Sequence, residues 1–598
     1  MVKQPEKLLA TLITLLVLLP IFSHACTDVP QTTAVSPTTS SSAMEEPSPT
    51  PVPTITASPT ATPEPLPEVT QWGMFEEAIQ LSGAYTDEQK YLEITVTAEF
   101  IGPDGQEVAV HGFWDGDSTW RVRFAPGQLG EWAYSIHAFN TQGEIATANG
   151  RFNTIPPTPA LLENNPNYRG FLQLSENGRY FTYADGTPFF WMGGTAWRAN
   201  EIAMSFVPQP DDEGPDVAEF TTYLDNRQAK GFSVIQVVAG FPSEFERVNE
   251  GGATYLELFT VINPENFQWL DRRLEAILDR GMVPVIIGQW ELAVGIMTPE
   301  ELQQYWQYLI ARTQAYNVIW IVTGEYGLEE NLDDVRALGA FIETQNTTNH
   351  LVTVHPTPNE PFPSFSSAEH FWGESWLDFH MHQTWDTAAV RETMLMDYGR
   401  MPPTPAVNAE AGYDGMRIWD RERVRQEAWT TYMSGAAGYT YGANGIWNWN
   451  DGCCDEEPQA PPRWYDAIDL PSSNDMQRLV DFFAPLPWWN LAPTDGLTDD
   501  GYVLATPGER YIIYLPNLTL ETESARWLGL TKRAKMETAV RLNLRNITGT
   551  FTVSWFNPAT GETVAGEPVN GGQIYNLTSP FTGDAVLHLV KIRNQFTQ

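Results

Sequence analysis

Cysteine is nearly missing from this chain of 598 residues: three occur, at Cys26, Cys453 and Cys454. Two are adjacent and the third ends an N-terminal apolar run, so no disulfide framework can hold the fold, which must rest on buried cores. Basic residues are also scarce, 34 Lys and Arg against 75 Asp and Glu, for a formal charge of -41. A surface of that sign repels nucleic acid and anionic membrane, which excludes a counterion-release binder and leaves an uncharged partner as the expectation. A largely apolar run stands near the N-terminus, over 8–22 behind Lys3 and Lys7, and its length suits a secretory signal better than a permanent membrane span. A P-loop, a dinucleotide-binding glycine fingerprint and a Gly-x-Ser-x-Gly nucleophile elbow are all missing.

What is present begins with an export signal, residues 1–26. Its end, Ser23-His24-Ala25-Cys26, can be read two ways: small residues at Ser23 and Ala25 suit ordinary cleavage, and Ala25-Cys26 resembles a bacterial lipobox. Residues 27–69 are dominated by Thr, Ser and Pro with almost nothing to bury, the composition of a disordered stalk. Behind a lipidated Cys26 such a stalk makes sense as a tether, so the chain is expected to be exported and held at a cell surface. Membrane contact is expected through that anchor alone.

Over 70–157 short alternating runs, such as Tyr91-Leu92-Glu93-Ile94-Thr95-Val96-Thr97, stand between Gly, Pro and Asp turns. That pattern predicts a β-sandwich, closed by the Pro-rich joint at 155–159. Over 165–486 the rhythm changes to near-continuous apolar runs, each followed by a helical segment. Eight runs fall at 188–192, 233–238, 283–288, 318–323, 351–355, 377–381, 405–409 and 438–441. Buried parallel strands alternating with helices, eight times over, predict a (β/α)8 barrel. Helix starts are well marked: Asn263-Pro264 supplies a cap with an N1 proline, and Thr298-Pro299-Glu300-Glu301 a capping box. Alternation returns over 487–598, where a second sandwich is expected.

In such a barrel chemistry sits at the C-terminal ends of the strands. Glu325 follows the fourth apolar run directly and Glu410 the seventh. Each alone could cap a helix or pair with a rim arginine. Together, two carboxyl groups across a barrel mouth can flank one glycosidic bond, one as proton donor and one as nucleophile. The other strand ends carry flat aromatic faces and neutral polar groups suited to sugar: Trp197, Trp290, Trp385, Trp447 and Trp449, with His355, His380, His382, Gln383, Tyr441 and Asn444. His380 and His382 are expected to point to opposite sides of strand six, so that only one enters the mouth. No cysteine or H-E-x-x-H helix accompanies His355, so neither a catalytic metal nor a cofactor is expected. Cys453 and Cys454 are compatible with a vicinal disulfide or with two free thiols.

Several of these segments resemble one family. Residues 189–197 (FFWMGGTAW), 229–236 (AKGFSVIQ), 377–383 (LDFHMHQ) and 439–447 (YTYGANGIW) look like the apiosidase-like glycoside hydrolases, family 140 and its relatives. The N-terminal sandwich resembles the Ig-like domain that often precedes such barrels, and the C-terminal one a module labelled collagen-binding. The resemblance implies a carbohydrate substrate, a strand-seven nucleophile at Glu410 and an acid/base at Glu325, where the family commonly has Asp. It also implies that Gly194, at the position of the family's strand-one Asp, removes a polar contact near the substrate. The resulting expectation is a retaining O-glycosidase with Glu325 as acid/base. The rival reading is a surface carbohydrate-binding or adhesion protein with a degenerate barrel, suggested by Gly194 and the flanking sandwiches.

Overall fold

Eight parallel strands lie side by side in one sheet, in the order five, four, three, two, one, eight, seven, six, so that all but five and six pair with their sequence neighbours and the eighth pairs with the first. They are Trp191–Thr195, Val234–Val238, Val283–Ile287, Ile319–Ile321, Val352–Thr353, His380–Thr384, Ala406–Ala411 and Gly438–Tyr441. This computed structural model describes residues 65–208, 214–240, 248–326, 331–357, 364–385, 389–450, 461–517 and 538–593. The seam between strands five and six has no ladder and is bridged by Asp378 and by the Thr353 hydroxyl, which donates to the Phe379 carbonyl at 2.7 Å. Asp378 donates its amide to the Val352 carbonyl at 3.0 Å, and its carboxyl accepts the Val352 amide at 2.7 Å.

The strands form because they are Val- and Ile-rich runs buried on both faces, with helices covering the outside. Val234, Val283, Val285, Ile319, Ile321, Met381 and Val407 fill the interior. A small antiparallel sheet, Leu172–Leu174, Phe181–Tyr183 and Pro188–Phe189, plugs the N-terminal end. Two strands start three residues later than the apolar runs suggest. Pro188 and Phe189 belong to the plug, where Phe189 pairs with Phe181, so strand one starts at Trp191. Asp378 is spent on the seam, so strand six starts at His380 and takes Gln383 and Thr384 into the ladder.

The N-terminal region is two β-sheets, five-stranded and three-stranded, around an aromatic core in which Phe100 stacks on Phe124 and Phe75 on Phe152. A buried ion network fastens it to the barrel. Arg123 donates to Asp271 on the helix Pro264–Asp279, and Arg312 on the helix Pro299–Thr313 bridges Asp271 and Asp115. The C-terminal region is a six-stranded antiparallel sheet with a two-stranded partner. Arg425 on the helix Arg421–Met433 pairs with Asp584 there, and Trp429 stacks on Tyr514.

Candidate active site

Glu410 reaches the barrel mouth through a local irregularity. His382 is paired with Asn408, but Gln383 is paired with Glu410, so Ala409 is an extra residue on strand seven. Side chains alternate along a strand, and Val407 and Ala409 already face the interior. Strict alternation would turn Glu410 out to the helices. The bulge restores it to the inward face beside Gln383, a known use of such insertions next to active sites.

Glu325 stands after strand four with a backbone φ of 39°, a left-handed conformation that is unusual for a residue with a side chain. Gly324 must be bare, because a Cβ there would fall 2.3 Å from the Trp290 ring. The Gln383 amide donates to Glu325 at 2.9 Å. Burial pushes the Glu325 carboxyl above its usual range, and hydrogen bonds from Gln383 and Trp290 hold it back. Glu410 is 5% exposed; burial first, and then the Glu325 charge, push it up to about 8, against hydrogen bonds from Tyr413 and Gln383. The two carboxyl groups therefore feel one another and meet the same amide.

Tyr413 organises the rest. Its hydroxyl donates to Glu410 Oε1 at 2.6 Å and accepts from Trp197 Nε1 at 2.7 Å. Its ring stacks on Trp447 and meets Trp385 edge-on, and Gly442 leaves the space it occupies. Trp197 meets Trp290 and His355 edge-on, which closes an aromatic collar. His355 is fully buried and its ring is held neutral, with a pKa lowered to about 4 by burial. Its Nδ1 lies 3.0 Å from the Pro356 carbonyl, which can only accept, so Nδ1 carries the proton. The Nε2 lone pair then faces Glu410 Oε2 at 3.4 Å, and neither atom has a hydrogen-bond partner among the described residues. Thr195 Oγ1, Gln236 Oε1, Gln383 Oε1, Trp385 Nε1 and Trp447 Nε1 are buried without a hydrogen-bond partner among the described residues.

Of the residues singled out by sequence, Glu325, Glu410, Trp197, Trp290, His355, Gln383, Trp385 and Trp447 meet in this cluster. Others do not. His380 and His382 share one side of strand six, as residues two apart must, and it is the outer side. Both face Asp397 on the helix Ala389–Tyr398, His382 Nε2 at 2.7 Å and His380 Nδ1 at 3.4 Å. Tyr441 also faces the helix layer, donating to Asp414 at 3.2 Å and packing on Phe232. Asn444 ties two loops together through its amide and the Gly415 carbonyl. Trp449 is buried against Trp464, with its indole nitrogen donated to Glu219. Gly194 removes no substrate contact, because a Cβ there would point outward to the Tyr223 hydroxyl at 2.6 Å. Cys26, Cys453 and Cys454 lie outside the described residues.

Tyr413 and the inward Gln236 and Thr195 were not legible as site residues in the sequence. Tyr413 lies three residues past Glu410, and the tight Ala411-Gly412 step before it was the available sign.

Residues 175–490 match the family model described as the apiosidase-like catalytic domain. Residues 68–139 match a domain of unknown function, DUF5060. No curated protein sequence matches the chain. A solved glycoside hydrolase aligns over 72% of this chain and 99% of its own at 20% identity and TM-score 0.60. A family 5 glycoside hydrolase from Bacteroides vulgatus aligns over 73% and 96% at 20% identity and TM-score 0.59. Another structure from Bacteroides vulgatus covers 88% of this chain and 100% of its own at 17% identity and TM-score 0.65. At these identities the structural likeness speaks for the fold, and the family rests on the catalytic-domain match over more than half the chain: the chain belongs to the apiosidase-like glycoside hydrolases.

Proposed function

We propose that this enzyme cleaves an O-glycosidic bond of a neutral poly- or oligosaccharide by double displacement, with Glu410 as nucleophile and Glu325 as acid/base. The observation that carries the proposal is that two buried carboxyl groups from strands four and seven interact with each other and share Gln383. In the first step Glu410 bonds to the anomeric carbon while the glycosidic C–O bond breaks and Glu325 gives its proton to the leaving oxygen. In the second, Glu325 takes a proton from water, whose oxygen displaces Glu410. Across both steps the pair needs one proton in total. Burial and like charge favour that state near neutral pH, since ionising both groups is opposed. Catalysis requires that proton on Glu325 and an ionised Glu410.

The unpartnered buried donors and acceptors of the collar support a polyhydroxylated ligand, because such groups are costly unless a ligand satisfies them. The adhesion reading loses one of its supports, since position 194 faces away from the mouth. Export and tethering through Cys26 belong to the same proposal: wild-type protein should label with palmitate and partition into detergent, and Cys26→Ala should not. Glu410→Gln should abolish turnover of every substrate. Glu325→Gln should keep the first step for activated leaving groups such as dinitrophenolate, with azide restoring the second. Retained anomeric configuration by NMR is the expected product; inverted product, or full activity in Glu410→Gln, refutes the mechanism.

A further inference from the structure

A cavity of about 280 Å3 opens at the end of the barrel away from Glu325 and Glu410. Its walls come from three places. The turn at 177–180 belongs to the plugging sheet. Tyr398 ends the helix before strand seven, and Gly435 and Ala436 lie just ahead of strand eight. The third wall is the short helix Trp488–Asn490, which leads into the C-terminal sheet. None of the lining residues carries a carboxylate, although the chain has 75 acidic residues.

Here amides and a guanidinium stand among aromatic rings. The Arg179 guanidinium lies over the Tyr398 ring, 3.9 Å from its centroid, and donates one nitrogen to the Tyr398 carbonyl at 2.5 Å. It pairs with no carboxylate among the described residues. Asn177 Oδ1 accepts from the Arg179 amide at 3.1 Å, and Asn490 adds a second side-chain amide. Trp488 is locked edge-on by Tyr180 and Phe190. Among the described rings Trp489 meets only Trp488, at 85°, so no other ring covers its faces.

We propose that this cavity is a second carbohydrate site, which holds one uncharged sugar ring of a glycan on the Trp489 face, with hydroxyls taken by Arg179 and Asn490. Its size is near the lower end of ligand pockets, about 300 Å3. A neutral glycan fits better than a polyuronide, because a chain of charge -41 repels polyanions. The site rests on the glycoside hydrolase reading only for the class of ligand. Lying away from the mouth, it anchors the enzyme to a polymer without occupying the active site.

The test is native electrophoresis of the Glu410→Gln protein, which leaves the polymer intact, through gels containing galactomannan, xyloglucan, arabinoxylan or polygalacturonate. At least one neutral glycan should retard it. Adding Trp489→Ala or Arg179→Gln should weaken that retardation about tenfold, the scale of one lost aromatic contact with its hydrogen bonds. Trp489→Phe should keep most of it, and thermal melting confirms that each variant is folded. In the otherwise wild-type enzyme Trp489→Ala should leave kcat on small soluble substrates unchanged. Retardation by polygalacturonate alone, by no glycan, or unchanged in both variants overturns the proposal. Failure of the wild-type enzyme to release reducing sugar from any glycan, with the retardation and its loss in the variants unchanged, would instead refute the glycosidase reading and leave the second site standing.

Discussion

Glu410 carries two opposing demands. A nucleophile must be ionised, yet burial and the Glu325 charge raise its pKa from 4.5 to about 8. A carboxyl with a raised pKa binds its proton in the folded state and releases it on unfolding between those two values. Its contribution is fully present below pH 4.5 and is lost as pH rises through about 8, so folding stability should fall across that window. Glu410→Gln removes the titrating group. The variant should therefore show a flatter dependence of Tm on pH between 5 and 8 and a higher Tm than wild type at pH 8, while being inactive. An equal slope in both proteins would mean that Glu410 is not the group responsible. Gain of stability on loss of a catalytic group is the usual trade at a site that keeps charges buried.

At the scale of single elements, strand six separates the carboxyl pair from a structural cluster behind it. Its inner face gives Gln383 to the carboxyl pair, and its outer face gives His380 and His382 to Asp397. Burial alone would raise the Asp397 carboxyl, but hydrogen bonds from the two histidines override it and hold the group well below the usual carboxylate range. Arg400 and Ser366 complete its shell. Removing one partner from such a buried hydrogen-bonded cluster costs about 1–3 kcal/mol. Asp397→Ala and His382→Ala are thus expected to lower Tm while leaving the kcat of the folded protein near wild type. His355→Ala should do the reverse, lowering kcat and displacing its pH profile with a smaller change in Tm. A His382→Ala enzyme that is stable but inactive would return that histidine to the site.

At the scale of the whole molecule, the barrel is clamped between two β-regions by buried arginines, Arg123 and Arg312 on one side and Arg425 on the other. Arg425 pairs with Asp584 and Asp475, and Tyr514 also donates to Asp584. Asp584→Ala leaves a buried guanidinium half-paired and a tyrosine unpaired, so Tm should drop by the equivalent of about 3 kcal/mol. Two separate unfolding transitions should then replace one, read by calorimetry; a single unshifted transition would show that the joint carries no stability. The barrel, its helix starts and the positions of Glu325 and Glu410 after strands four and seven were legible in the sequence, because buried parallel strands and capped helices leave local patterns of apolar runs and start signals. Trp197, Trp290 and Gln383 could be placed at strand ends for the same reason. Which way a side chain faces was not local information. It depended on the extra residue at Ala409, on Asp378 closing the seam, and on Asp397 drawing His380 and His382 outward, since strand register is fixed by the neighbouring strand and by the helix packed against it. The sequence by itself determined which residues stand near the mouth; the tertiary structure decided which of them enter it, and it alone brought Tyr413 and His355 to the Glu410 carboxyl.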